Sequence, residues 1–195
     1  MDLTERFMEA LNFSLDLNRN QVRRRSQTPY IAHLLAVAAI VLENGGDEDQ
    51  TIAALLHDAA EDSGGVKTLL EIRRRFGERV ARIVQGCSDS VLNTGQERAA
   101  WKTRKSAYIA SIKEKSADVV LVCLADKIHN ARSVLSNYKM VGNSAWHRFK
   151  NDKEGTLWYY RSMVEAFKPT TKGLLAQSAL AQEFEYIVNE IEKLV

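Results

Sequence analysis

Two prolines in 195 residues, Pro29 and Pro169, leave almost the whole chain free to be helical. Apolar residues recur with a period near 3.6, and alternating β-branched runs are scarce. An all-α fold is expected, a compact multi-helix bundle without a sheet. Helices are predicted over about 3–19, 30–43, 51–62, 66–75, 77–88, 96–115, 118–136, 156–168 and 172–194. Asn44-Gly45-Gly46 and Ser63-Gly64-Gly65 supply stops, and Asp47 to Asp49 supply caps and negative charge for the helix that follows. Lys168-Pro169-Thr170 is expected to divide the last two helices, and residues 137–155 read as an ordered loop with one short helix. A single domain over 1–195 is expected, large enough to bury a core without disulfides.

Charge excludes one class of function. With 27 basic and 25 acidic residues the chain carries a formal +2, too little for a broad surface that tracks nucleic-acid phosphates. Arg73-Arg74-Arg75 stands where Leu69, Ile72, Phe76 and Val80 take the core face, so the triplet reads as solvated surface. The N-terminus lacks a basic start followed by an apolar stretch, which argues against a secretory signal. No apolar run approaches the roughly 20 residues that span a bilayer. Cys87 and Cys123 both sit in apolar helical sequence and read as buried, unreactive, reduced thiols, so a cytoplasmic protein away from membranes is expected.

Chemistry concentrates in Ala53 to Asp62, AALLHDAAED, where an apolar helix suddenly presents His57, Asp58, Glu61 and Asp62. Read as one continuous helix, it puts His57 on a stripe with Glu61, and Asp58 on a stripe with Asp62. Clustered carboxylates repel unless a cation, a shared proton or water compensates, and a metal ion would also use the imidazole. Asp126 ends a similar apolar run in VVLVCLADKIHNAR, and His33 opens another in PYIAHLLAVAAI. Singly each has a plainer reading: His33 as a hydrogen-bonded core histidine, Asp126 as a cap or a partner of Lys127 or Arg132, Glu61 and Asp62 as a solvated helix end. The combination is what points to a metal centre.

The order His33, His57-Asp58, Asp126 resembles the H…HD…D pattern of HD-domain phosphohydrolases. The stretch Arg24-Arg25-Ser26-Gln27-Thr28-Pro29-Tyr30-Ile31-Ala32-His33 resembles the R-[KR]-S-G-x-P-Y-x-x-H motif of RelA/SpoT-type alarmone hydrolase domains. Leu56 to Asp62 is similar to their L-H-D-x-x-E-D, and Leu124 to Arg132 to their L-A-D-[KR]-x-x-N-x-R. The resemblance runs from about residue 20 to 135 and, with no room for a synthetase region, implies a stand-alone small alarmone hydrolase.

By this resemblance His33, His57, Asp58 and Asp126 bind one divalent metal ion, usually Mn2+, with Zn2+, Fe2+ and Mg2+ chemically admissible. Glu61 and Asp62 would orient and deprotonate the attacking water. Arg24, Arg25, Ser26, Lys127, Asn130 and Ser133 would contact a small nucleotide substrate, (p)ppGpp or an analogue such as (p)ppApp, from which the 3′-pyrophosphate is removed. Two other activities stay open, a nucleotidase or phosphatase acting on dNMP or NADPH and a non-catalytic nucleotide sensor. Trp146, Phe149, Trp158, Tyr159 and Tyr160 are expected to pack in the core rather than stack on a base, with a Tyr or Trp on one wall of the pocket left open. Pairing into a homodimer is also left open.

Overall fold

The computed structural model describes residues 2–23, 27–92, 96–148 and 152–194. Among them the ordered backbone is helical: α1 (Glu5–Leu17), α2 (Ile31–Glu43), α3 (Glu48–Leu56), α4 (Ala59–Asp62), α5 (Val66–Phe76), α6 (Glu78–Cys87), α7 (Trp101–Ser111), α8 (Ala117–Val141), α9 (Asp152–Thr170) and α10 (Leu175–Lys193). Short 3₁₀ turns cover Ile112–Glu114 and Gly142–Arg148, and one antiparallel bridge joins Val22 to Pro29. Among the described residues no helix is long and apolar enough to cross a membrane.

Two helices make the centre. α3 buries Ile52 through Leu56 at 1 % exposure or less, and α8 buries every residue from Val119 to Asp126. Segments apolar all round must be surrounded by other elements. α2, α3, α6 and α10 all pack on α8, while α1, α2 and α6 pack on α3. Their starts are tied together. Asp47 and Gln50 form a reciprocal capping box at α3, Gln50 also donates to Asp118 at 2.8 Å, and Arg79 bridges Asp47 (2.6 Å) and Asp118 (3.0 Å). Starting level and rising about 1.5 Å per residue, α3 brings His57-Asp58 and α8 brings Asp126 to a similar depth.

The predicted 51–62 helix begins earlier, at Glu48, and is interrupted at His57-Asp58, where Asp58 sits at φ −94° and ψ −10° and α4 restarts at Ala59. In a straight helix neighbouring side chains diverge by about 100°, so the break is what lets His57 and Asp58 face one centre. α8 runs on to Val141 instead of stopping near 136, because the stop is Gly142 at φ +60°. α7 begins only at Trp101, later than predicted. α9 starts at Asp152 and carries Pro169 within its last turn, ending at Thr170. The arginine triplet is exposed as expected, paired with Glu71 and Glu78. Cys87 and Cys123 are free thiols, half-buried and buried, with sulfurs 3.6 Å apart.

Candidate metal centre and active site

Three segments converge. Gln21, Arg23, Thr28 and Tyr30 exchange backbone hydrogen bonds of 2.9 Å that pin the chain just ahead of α2, and His33 follows in its first turn. The α3–α4 break supplies His57 and Asp58, and the end of the apolar half of α8 supplies Asp126. His57 Nε2 lies 3.1 Å from Asp58 Oδ2 and 3.6 Å from Asp126 Oδ1. His33 Nε2 lies 3.3 Å from the same Asp126 oxygen and 3.7 Å from Asp58 Oδ2. Ligands about 2.1 Å from a common ion stand about 3.0–3.4 Å apart at octahedral and tetrahedral angles, so these edges match a divalent cation with little adjustment.

The protonation chemistry agrees. His57 Nδ1 donates to the Ala54 carbonyl at 2.8 Å, since a carbonyl can only accept. Its Nε2 is buried with no hydrogen-bond partner among the described residues, facing two carboxylates. Burial opposes a charge on His57, yet Asp58 and Asp126 outweigh it and carry its pKa well above the usual imidazole value. Burial also opposes ionisation of the two acids, but for Asp58 the His57 imidazole and for Asp126 first the Lys127 ammonium win, holding both below the ordinary carboxylate range. A site that draws a proton this strongly onto a buried nitrogen fits a cation there.

Each ligand has a holder. Tyr30, whose hydroxyl burial and Asp58 keep protonated, donates to Asp58 Oδ2 at 2.5 Å. Asn130 donates to Asp126 Oδ1 at 2.5 Å, Lys127 pairs with Asp126 Oδ2, and His33 Nδ1 lies 2.7 Å from His129 Nδ1. These contacts give Lys127 and Asn130, expected at the substrate, a position on the metal ligand.

The centre opens into a cavity of about 850 Å³. Glu61 and Asp62 both line it. Glu61 is held among Arg98 (3.4 Å), Arg104 (3.8 Å) and the Asp89 amide (3.3 Å); burial and the Asp89 charge push its carboxyl above the usual range. Asp62 is exposed at the rim, 3.7 Å from Arg98. Ser133 lines the same wall and donates to the His129 carbonyl at 2.8 Å. Arg24, Arg25, Ser26 and Phe149 lie outside the described residues. Arg23 and Thr28, on either side of Arg24 to Ser26 in sequence, line the cavity, and Arg23 donates to Asn130 at 3.0 Å.

The sequence reading missed Tyr30, Asp89, Arg98, Arg104, Lys105 and His129. Spacing signalled two of them, Tyr30 three residues before His33 and His129 three after Asp126. The others line the cavity from the α6–α7 connection, Asp89 and Arg98, and from α7, Arg104 and Lys105. Tyr159 and Tyr160, 9 % and 6 % exposed, are buried as expected, and both also line the cavity. Trp146 is buried as expected, and Trp158 is half-buried in edge contact with Trp101 at 5.9 Å.

The chain is similar to known proteins. A family model described as HD domain matches residues 10–147. The chain belongs to the HD-domain family. It is 36 % identical over 130 residues to the guanosine-3′,5′-bis(diphosphate) 3′-pyrophosphohydrolase MESH1 of Danio rerio, a match covering 65 % of this chain and 68 % of that one. To a probable guanosine-3′,5′-bis(diphosphate) 3′-pyrophosphohydrolase of Synechocystis it is 37 % identical over 128 residues, 64 % of this chain but only 16 % of that longer protein. The solved metazoan ortholog of SpoT, which hydrolyses ppGpp and plays a role in starvation responses, shares the fold of this HD domain with TM-score 0.77 over 100 % of this chain and 99 % of that one, at 22 % identity. The Listeria monocytogenes protein lmo0812 aligns with TM-score 0.69 at 28 % identity, over 83 % of this chain and 99 % of that one.

Proposed function

We propose that the chain is a divalent-metal-dependent phosphohydrolase that removes the 3′-pyrophosphate from (p)ppGpp, or from an adenine analogue such as (p)ppApp. One observation carries this: two histidines and two aspartates gather at one end of a cavity that is also lined by Glu61 and by five cationic side chains, Arg23, Arg98, Arg104, Lys105 and Lys127. The names of the relatives, MESH1 above all, point the same way.

His33, His57, Asp58 and Asp126 would hold the ion, and two imidazoles with two carboxylates suit Mn2+. Bound there, the cation supplies positive charge that acidifies water and draws in a phosphate oxygen. The remaining work falls to the chain. Glu61, its carboxyl raised by burial and Asp89, accepts the proton of the attacking water, and Asp62 at the rim assists its transfer. Water adds to the phosphorus on the ribose 3′-oxygen, the P–O3′ bond breaks, pyrophosphate leaves, and a proton ends on the 3′-oxygen. Arg104 and Lys105 offer charge to the phosphates; Arg24, Arg25, Ser26 and Ser133 are assigned to the nucleoside side.

The test is pyrophosphate release by the Mn2+-loaded protein from ppGpp and ppApp, beside phosphate release from NADPH and dNMPs. Turnover of either alarmone above the others is expected. Turnover only of NADPH or a dNMP would replace this reading with a phosphatase, and none at all would favour a sensor. Glu61→Gln is expected to keep Mn2+ affinity while losing about a hundred- to ten-thousand-fold in kcat.

A further inference from the structure

His33 is a ligand candidate whose second nitrogen does not end on backbone. Its Nε2 faces Asp126 and Asp58, and its Nδ1 lies 2.7 Å from His129 Nδ1. At 1 % exposure the His33 ring has no water to turn toward. His57 offers the contrast, with its Nδ1 spent on the Ala54 carbonyl, an acceptor that cannot change.

We infer that His129 is a positioning residue that fixes which nitrogen of His33 meets the cation and thereby becomes a fixed hydrogen-bond donor to the substrate. This rests on the metal-dependent reading above. Two imidazole nitrogens 2.7 Å apart must share one proton, because two lone pairs or two N–H groups at that distance repel. A cation takes the lone pair of His33 Nε2, so the His33 proton sits on Nδ1 and His129 Nδ1 must accept it. An accepting Nδ1 leaves the His129 proton on Nε2. His129 lines the cavity beside Asn130 and Ser133, so that N–H is the polar group the ring has left for a phosphate or ribose oxygen. Metal and nucleotide are thereby coupled. A ligand that accepts from His129 Nε2 favours the His33 form that binds the ion, and the ion favours the donor form of His129 in return.

Two measurements decide it, and neither needs turnover. Long-range ¹H–¹⁵N correlation on the Zn2+-loaded protein is expected to show His33 protonated at Nδ1 and His129 at Nε2; a His129 protonated at Nδ1 overturns the inference. Manganese binding, followed by the electron-paramagnetic signal of the free ion, is expected to weaken about 10- to 100-fold in His129→Phe and to recover most of that loss in His129→Asn, whose amide oxygen can accept at the Nδ1 position. A folded His129→Phe variant that binds Mn2+ as tightly as the wild type overturns the inference. Should that variant fail to fold, the spectrum of the wild type decides alone. A wild type that binds Mn2+ but hydrolyses no alarmone would remove the substrate assignment and leave this one standing. An alarmone hydrolase whose Mn2+ affinity ignores His129 would do the reverse.

Discussion

Asp89 holds two cations and leans on an acid. Its side chain, 2 % exposed, pairs with Arg104 and with Lys105 at 2.8 Å, and its amide donates to Glu61. Those cations draw its own carboxyl down against the opposing effect of burial, while its negative charge adds to the burial that raises Glu61. A base with a raised pKa works only above that value, so the rate falls as pH drops through it. Asp89→Asn removes the negative charge and frees the cations, and both changes lower the Glu61 pKa. The acidic limb of the kcat/KM profile is therefore expected to move to lower pH, and an unmoved limb would disconnect Glu61 from proton transfer. At this scale the sequence was legible wherever a polar residue interrupts an apolar run, as at His33, His57, Asp58 and Asp126. It was not legible for Asp89, Arg104 or Lys105. Nothing in their neighbourhoods distinguishes a cation that lines a cavity from one on a solvated helix face.

Elements carry the site through two interruptions. The first, at His57-Asp58, turns two adjacent side chains onto one centre, and an unbroken apolar period concealed it. Around it the Ala54 carbonyl accepts from the His57 ring and the Asp58 carbonyl from the Glu61 and Asp62 amides, while His33 and Asp126 approach from other helices. The second follows α4, where Gly64 and Gly65 take φ of +109° and +62°. Their role as a stop was readable; the contact beyond was not. A Cβ on Gly65 would come within 1.9 Å of the Leu92 carbonyl oxygen, the group that accepts the Val66 amide at 3.1 Å. Backbone on both sides leaves no side chain to yield. Gly65→Ala is expected to cost at least about 1–3 kcal/mol from the left-handed φ alone, more with the collision. A loss of at least about 2–4 °C in Tm per kcal/mol follows for a chain of this size, read by thermal denaturation. Because residues 89–92 precede the displaced contact, the same variant should lose more activity than Mn2+ affinity.

For the whole molecule the centre is a knot, since His33, His57-Asp58 and Asp126 come from separate stretches of chain and meet only when α2, α3 and α8 are packed. An ion that grips all of them binds the folded state and not the unfolded one, and so stabilises the fold by mass action. At a hundred times its dissociation constant Mn2+ should add about 2.7 kcal/mol, or about 5 to 11 °C in Tm, over protein held in chelator. Asp126→Ala should erase that difference, and a difference that survives would place the stabilising ion elsewhere. Without metal, the proton on His57 fills the same electrostatic role. Its pKa is raised in the folded state, so its stabilisation is complete below the unfolded value near about 6.5 and is lost as pH climbs through the raised one. The ion and that proton compete for one nitrogen. Rising pH therefore weakens the metal-free fold and strengthens metal binding together, and the gap in Tm between loaded and metal-free protein is expected to widen steadily with pH. A gap that stays constant or narrows as pH rises would mean that His57 Nε2 is not where the cation sits.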